Sequence, residues 1–260
     1  MDRRSIVVFD SGFGGISVLK RLVQCMPNED YVYYGDSANA PYGVRGREEI
    51  QKLTVNGIAR ACEGCLPKAI VIACNTATAA SIDQVCQLFP GIPVVGILPA
   101  IDTACLSGNA SGVLALATNS TIQSEAFQQL RMKVDPYSQI VALAAPSIVE
   151  YVESGFQDRD KLITTLTKQF EPYEKACFEG VVLGCTHFPF AAKEIAEALG
   201  YMVKFYDGGL VTARKTEDAL AKRGWRNHQE RSGSIRMINS RQTQETLQQM
   251  WKLFSACLEC

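Results

Sequence analysis

The stretch Val71-Ile72-Ala73-Cys74-Asn75-Thr76-Ala77-Thr78-Ala79-Ala80 decides the fold. Ile70 to Ala73 is uncharged and β-branched, the pattern of a strand buried on both faces. The alanine-rich run from Ala77 predicts a helix to about Phe89. Cys74, Asn75 and Thr76 therefore fall at a strand-to-helix junction, the edge at which open α/β sheets bind ligands. Unpaired N–H groups at the helix start face the thiol, which is expected to lower its pKa from the free value of roughly 8.5. The alternative is one more small, buried, apolar cysteine.

The junction recurs in Val181-Val182-Leu183-Gly184-Cys185-Thr186-His187-Phe188-Pro189, again an apolar strand, a small residue, a thiol and polar groups, before a helical stretch from Ala191 to Leu199. The two cysteines are 111 residues apart, one in each half of the chain. The repeat predicts two similar α/β halves, each offering a thiol to a shared cleft.

The 260 residues suffice for one large or two small domains, and 47% apolar with 20% charged residues is ordinary for a soluble globular protein. A net charge of −1 leaves no electrostatic footprint for nucleic acid or an anionic membrane. The apolar run Ile6 to Phe9 is too short for a signal-peptide core, and no run approaches the ~20 residues of a membrane helix. The protein is expected to be cytoplasmic, where its ten cysteines stay reduced. Two C-x-x-C pairs, Cys62/Cys65 and Cys257/Cys260, invite a four-thiolate zinc site. They lie nearly a chain length apart, and the reading carries no metal and no cofactor.

From the N-terminus, strand Ile6 to Phe9 runs into the turn Asp10-Ser11-Gly12-Phe13-Gly14-Gly15 and a helix over Ile16 to Met26. A Gly-rich turn there lets the backbone approach an anion, but it is neither G-x-G-x-x-G nor a P-loop. With an acid at its head it suits a small zwitterion better than a phosphate; a plain tight turn is the other reading. Strand Tyr31 to Tyr34 leads into an irregular loop ending Pro41-Tyr42-Gly43, followed by a helix from Arg47 to about Cys62. After strand Pro93 to Ile97, Leu98-Pro99 marks the crossing into the second half.

That half is read as a helix over Ala100 to Leu106, a strand over Gly112 to Ala117 and a helix over Ile122 to Met132. Thr118 and Thr121 are caps or substrate contacts. Next come a strand over Gln139 to Leu143, a helix opening at Pro146 that contains Glu150, and an amphipathic helix from Asp158 to about Lys175. Strand Tyr201 to Tyr206, a helix from Asp207 to about Arg223, a strand over Ile235 to Ile238 and a helix over Thr243 to Ala256 complete the chain. The alternation predicts parallel sheets flanked by helices. The expected domains are 1–97 plus 208–260, carrying Asp10 and Cys74, and 98–207, carrying Glu150, Cys185 and His187.

Two thiols facing one pocket suit proton abstraction on one face of a carbon and reprotonation from the other. Asp10 is positioned by sequence to attend Cys74, His187 to attend Cys185, and Glu150 is a further carboxylate on the second side. Backbone N–H groups and the hydroxyls of Ser11, Thr76, Thr118, Thr121 and Thr186 can hold carboxylates.

Asp10-Ser11-Gly12-x-Gly14-Gly15, Pro41-Tyr42-Gly43, Ala73-Cys74-Asn75-Thr76-Ala77 and Gly184-Cys185-Thr186-His187-x-Pro189 together resemble the glutamate racemases of the aspartate/glutamate racemase superfamily. The motifs fall in the family's order over about residues 5 to 220. The resemblance implies two pseudosymmetric α/β domains with the active site in the cleft between them, the C-terminal tail returning to the first. It implies cofactor-independent racemisation of glutamate for peptidoglycan by a homodimer. It also implies Cys74 and Cys185 as the bases, with Asp10, Glu150 and His187 assisting. Ser11, Pro41, Tyr42, Gly43, Asn75, Thr76, Thr118, Thr121 and Thr186 would contact the substrate beside Asp10, His187 and the two thiols.

Asn39, Leu98, Ala145 and the Thr118–Ser124 segment depart from the usual pattern, and none is a thiol base. The competing readings are a relative acting on aspartate or another small acid, a Cys185–His187 hydrolase, and a catalytically silent amino-acid-binding homologue. Retention of both thiols favours racemisation, because a hydrolase would leave Cys74 without a role.

Overall fold

The computed structural model describes residues 4–106, 112–134, 140–228 and 232–256. Its strands form two fully parallel sheets. The first contains β1 (Ser5–Asp10), β2 (Tyr31–Gly35), β3 (Pro67–Ile72), β4 (Val94–Gly96) and β9 (Ile235–Asn239), in the order β4-β3-β1-β2-β9. The second contains β5 (Val113–Ala117), β6 (Ile140–Ala144), β7 (Gly180–Leu183) and β8 (Lys204–Asp207), in the order β6-β5-β7-β8.

Read from its other edge, the first sheet runs β2-β1-β3-β4 inside β9, the same succession as β6-β5-β7-β8. The two halves are therefore structural repeats. Cys74 follows the third strand of one repeat and Cys185 the third strand of the other.

Each sheet is buried on both faces, which explains the near-continuous apolar strands. Ile6 and Val8 of β1 pack on one side with α1 (Ile16–Cys25), α10 (Gly209–Ala221) and α11 (Gln244–Ser255). Val7 and Phe9 pack on the other with α2 (Arg47–Ala61) and α3 (Asn75–Leu88). In the second sheet, Leu114, Leu116, Val181 and Leu183 meet α7 (Pro146–Glu153), α8 (Arg159–Phe170) and α9 (Ala192–Leu199). Val113, Ala115 and Val182 meet α4 (Ile101–Leu106) and Phe127 of α6 (Glu125–Val134). Phe156 and Phe190 pack against the main core of both halves.

The strand expected over Tyr201 to Tyr206 is confined to Lys204–Asp207, and two helices differ from the sequence expectation. The helix expected over Ile122 to Met132 is two, α5 (Asn119–Gln123) and α6, divided at Ser124, which adopts an extended backbone. Its hydroxyl accepts the Phe127 N–H, restarting the chain as a cap. The helix expected to reach Lys175 ends at Phe170 and tightens into a 3₁₀ stretch over Glu171–Ala176, with Pro172 in its first turn.

Candidate active site

Cys74 and Cys185 line one cavity of about 80 Å³ between the two sheets. At about 10–15 Å³ per water-sized probe that is room for roughly five to eight waters, the scale of a small amino acid. The walls come from equivalent strand ends in the two halves. Ser11 and Thr118 follow the first strands, Tyr42 and Glu150 lie beyond the second, and Cys74 and Cys185 follow the third.

Cys74 is the N-cap of α3, its Sγ accepting the Ala77 N–H at 3.4 Å and the Ser11 hydroxyl at 3.4 Å. The helix start was expected to lower its pKa; the opposite holds. Burial pushes the Cys74 thiol up to about 12, the Asp10 carboxylate adds to the rise, and the two hydrogen bonds offset only part of it. Cys74 is therefore a protonated thiol in the unliganded site.

Cys185 has a different setting. Its Sγ lies 3.5 Å from His187 Nδ1, and His187 Nε2 lies 2.7 Å from Glu153 Oε1. Burial pulls the pKa of His187 down, but the hydrogen bonds and charges of Cys185 and Glu153 outweigh it and hold the imidazole well above 6.5. His187 thus links Cys185 on one ring nitrogen to Glu153 on the other.

The carboxylate on His187 is Glu153, which the sequence motifs did not single out. Glu150 lies on the cavity wall and is exposed, one helical turn earlier on the same face of α7. The sequence signal for Glu153 was this i,i+3 spacing, which singles out neither carboxylate without the position of His187.

The Gly-rich turn also differs from expectation. The anion it holds is Glu153 itself, whose Oε1 accepts the Phe13 N–H at 2.8 Å. A Cβ on Gly14 would lie 2.4 Å from Thr186 Oγ1 and 2.6 Å from His187 Nδ1. Gly12 and Gly14 leave room for the second half of the molecule to approach, whereas Gly15 makes room for Asp10 and Ala73 of its own half. Asp10 is fully buried, accepts the Gly12 N–H at 2.9 Å and the Thr186 hydroxyl at 3.1 Å, and burial raises its pKa. Asp10 and Thr186 brace one another behind the cavity and are absent from its wall.

Thr76, Thr118 and Thr121 form a cluster, with Oγ1–Oγ1 distances of 3.0 Å (Thr76–Thr118), 2.9 Å (Thr118–Thr121) and 3.4 Å (Thr76–Thr121). Thr118 is the N-cap of α5 and also a wall residue; Thr121 is not on the wall. Both polar atoms of the Asn75 side-chain amide are buried on the wall without a hydrogen-bond partner among the described residues. Buried amides are nearly always paired, which makes Asn75 a candidate ligand contact. Pro41 and Gly43 line the cavity as expected, while the Tyr42 hydroxyl is occupied by Asp36 Oδ2 at 2.7 Å. Asn39 donates to the same carboxylate at 3.0 and 3.1 Å.

Among the described residues no cluster of three or more His, Cys, Asp or Glu is placed to hold a metal. Cys62 and Cys65 lie at the end of α2 away from the cavity, and Cys257 and Cys260 fall outside the described residues. No helix of the described residues is long and apolar enough to cross a membrane.

The Asp/Glu/hydantoin racemase family model matches residues 6–216. The chain belongs to this family. It is an isomerase of the racemase class. The glutamate racemase of Clostridium botulinum (strain Alaska E43 / Type E3) is 37% identical over 253 residues, covering 97% of this chain and 98% of that one. The crystal structure of glutamate racemase isoform RacE1 from Bacillus anthracis superposes with a TM-score of 0.83 at 26% identity, covering 100% and 98% of the two chains. That of the Francisella tularensis enzyme in complex with D-glutamate gives 0.82 at 28% identity, covering 100% and 96%.

Proposed function

We propose that this racemase interconverts L- and D-glutamate without a cofactor, using Cys74 and Cys185 as the two bases. The observation that carries the reading is that the thiols, from equivalent strand ends of opposite halves, line one small cavity. One cysteine, as thiolate, takes the Cα proton. The electron pair left on Cα delocalises into the α-carboxylate, and the opposite thiol gives its own proton to the other face. Each turnover leaves the two cysteines with exchanged protonation, ready for the reverse direction.

The raised Cys74 pKa suits that thiol to give a proton, and His187 Nδ1, 3.5 Å from Cys185 Sγ, is placed to exchange one with Cys185. When Cys74 acts as base, the ammonium of the bound amino acid offsets the burial and the Asp10 charge that hold its pKa up. The Asn75 amide is suited to one carboxylate of the substrate, and the Thr76–Thr118–Thr121 hydroxyls to the other. The glutamate named for the relatives, and bound as D-glutamate in the Francisella structure, suits a small cavity lined by the Asn75 amide and the Thr76 and Thr118 hydroxyls.

The same proposal divides the chain into domains 1–97 plus 208–260 and 98–207, and makes the protein a homodimer supplying D-glutamate for peptidoglycan. It acts in the cytoplasm, where thiols stay reduced; all eight described cysteines are free. The test follows circular dichroism and Cα deuterium together, with chelator-treated protein and L-glutamate in D₂O. Loss of optical activity with deuterium entering Cα, and inversion abolished by Cys74→Ser and by Cys185→Ser, is the expected result. No exchange with glutamate, or undiminished inversion in either variant, overturns the reading. Aspartate run in parallel reads the preference, light scattering the dimer, and complementation of a D-glutamate auxotroph the cellular role.

A further inference from the structure

Glu153 is the last residue of α7, where the negative end of the helix dipole disfavours a carboxylate. It depends on donors from elsewhere. Its Oε1 has two, Phe13 N–H and His187 Nε2. Its Oε2 is buried and has no hydrogen-bond partner among the described residues. A second unpartnered atom approaches the same turn from α11, for Gln249 Nε2 is also buried with no acceptor among the described residues. Gln249 Nε2 and Cδ lie 3.3 and 3.8 Å from where a Cβ on Gly155 would stand, two residues beyond Glu153. A carboxylate oxygen short of a donor and an amide short of an acceptor are thus buried beside one turn.

The packing keeps them there. Leu247, Met250 and Leu253 of α11 share a core with Phe156 and Phe190, which belong equally to the core of the second half. The amide and the carboxylate make no direct hydrogen bond, and a buried water linking two such groups is ordinary protein structure.

We propose that Gln249 is a positioning residue, its amide donating to Glu153 Oε2 through a buried water and so keeping Oε1 on His187. A donor on each oxygen prevents the carboxylate from rotating away while the imidazole loses and regains its proton. The tie also joins the C-terminal helix of one half to the catalytic relay of the other. The role rests on the two-thiol reading above.

The test uses the full chain with Gln249→Met, which keeps volume and removes the donor, and Gln249→Glu, which replaces the donor with an acceptor. The readouts are the ¹⁵N titration of the His187 ring without substrate, and kcat and KM for both enantiomers. In Gln249→Met the His187 pKa falls, and kcat drops roughly tenfold with KM within about twofold. Because enantiomers are equal in free energy, kcat/KM falls by the same factor in both directions. Gln249→Glu loses more near pH 8 and recovers toward pH 5, where the facing carboxyls share a proton. An unmoved His187 titration in either variant, whatever the turnover, overturns the proposal. A wild-type protein that fails to racemise glutamate sinks the proposed function instead, and the titration still decides this one.

Discussion

Glu153 Oε1 lies 2.7 Å from His187 Nε2 and at the same time takes the Phe13 N–H, from the opposite half of the molecule, at 2.8 Å. One carboxylate oxygen thus ties the His187 imidazole to the Gly-rich turn of the opposite half. Removing its charge should be felt in chemistry before stability. Glu153→Gln is expected to lower kcat roughly 10²-fold with little change in KM. The His187 pKa should fall in the same variant, read by ¹⁵N titration.

The raised His187 pKa also fixes a pH dependence. The imidazolium's stabilisation is fully present below the unfolded pKa of about 6.5 and is lost as pH rises through the higher folded value. Urea unfolding from pH 6 to 9 should show this decline in wild type. Glu153→Gln should show less of it.

Asp10 stands behind Cys74, and after burial its charge is the next cause of the raised thiol pKa. Asp10→Asn should lower that pKa, so Cys74 is alkylated faster at pH 8, as followed by peptide mass mapping. Turnover should fall in the same variant. Unchanged alkylation would mean that burial alone controls the thiol.

The Gly-rich turn gives a steric prediction. Gly14→Ala drives a methyl group into Thr186 and His187 and should cost about 1–3 kcal/mol with loss of activity. Gly46→Ala, where nothing lies within 4 Å, is the control and should leave both nearly unchanged. Thermal melts and turnover together check the pair.

Far from the cavity, Lys68 is fully buried in β3 and ion-paired with Glu29, and it donates to the Trp225 carbonyl at 3.0 Å. Lys68→Met leaves Glu29 buried without its counter-charge and should destabilise the chain by about 3–5 kcal/mol. Urea unfolding reads it. Residual turnover per folded molecule should stay near wild type.

The sequence by itself determined the two-sheet α/β architecture, because strands buried on both faces must be continuously apolar and alternate with helices. It also determined the two thiol junctions, since a motif of adjacent residues needs no tertiary information to be seen. What lies within one motif was therefore legible: Cys74 with Asn75, Cys185 with His187, and Asp10 with Ser11. Tertiary structure decided everything that depends on contact between the halves. It set Glu153 on His187, and it put the same carboxylate where an external anion was expected at the Gly-rich turn. It reversed the direction of the Cys74 pKa as well. A helix N-terminus acts locally and can be read from spacing. Desolvation and the Asp10 charge come from the whole fold closing around the thiol, and there they outweigh it.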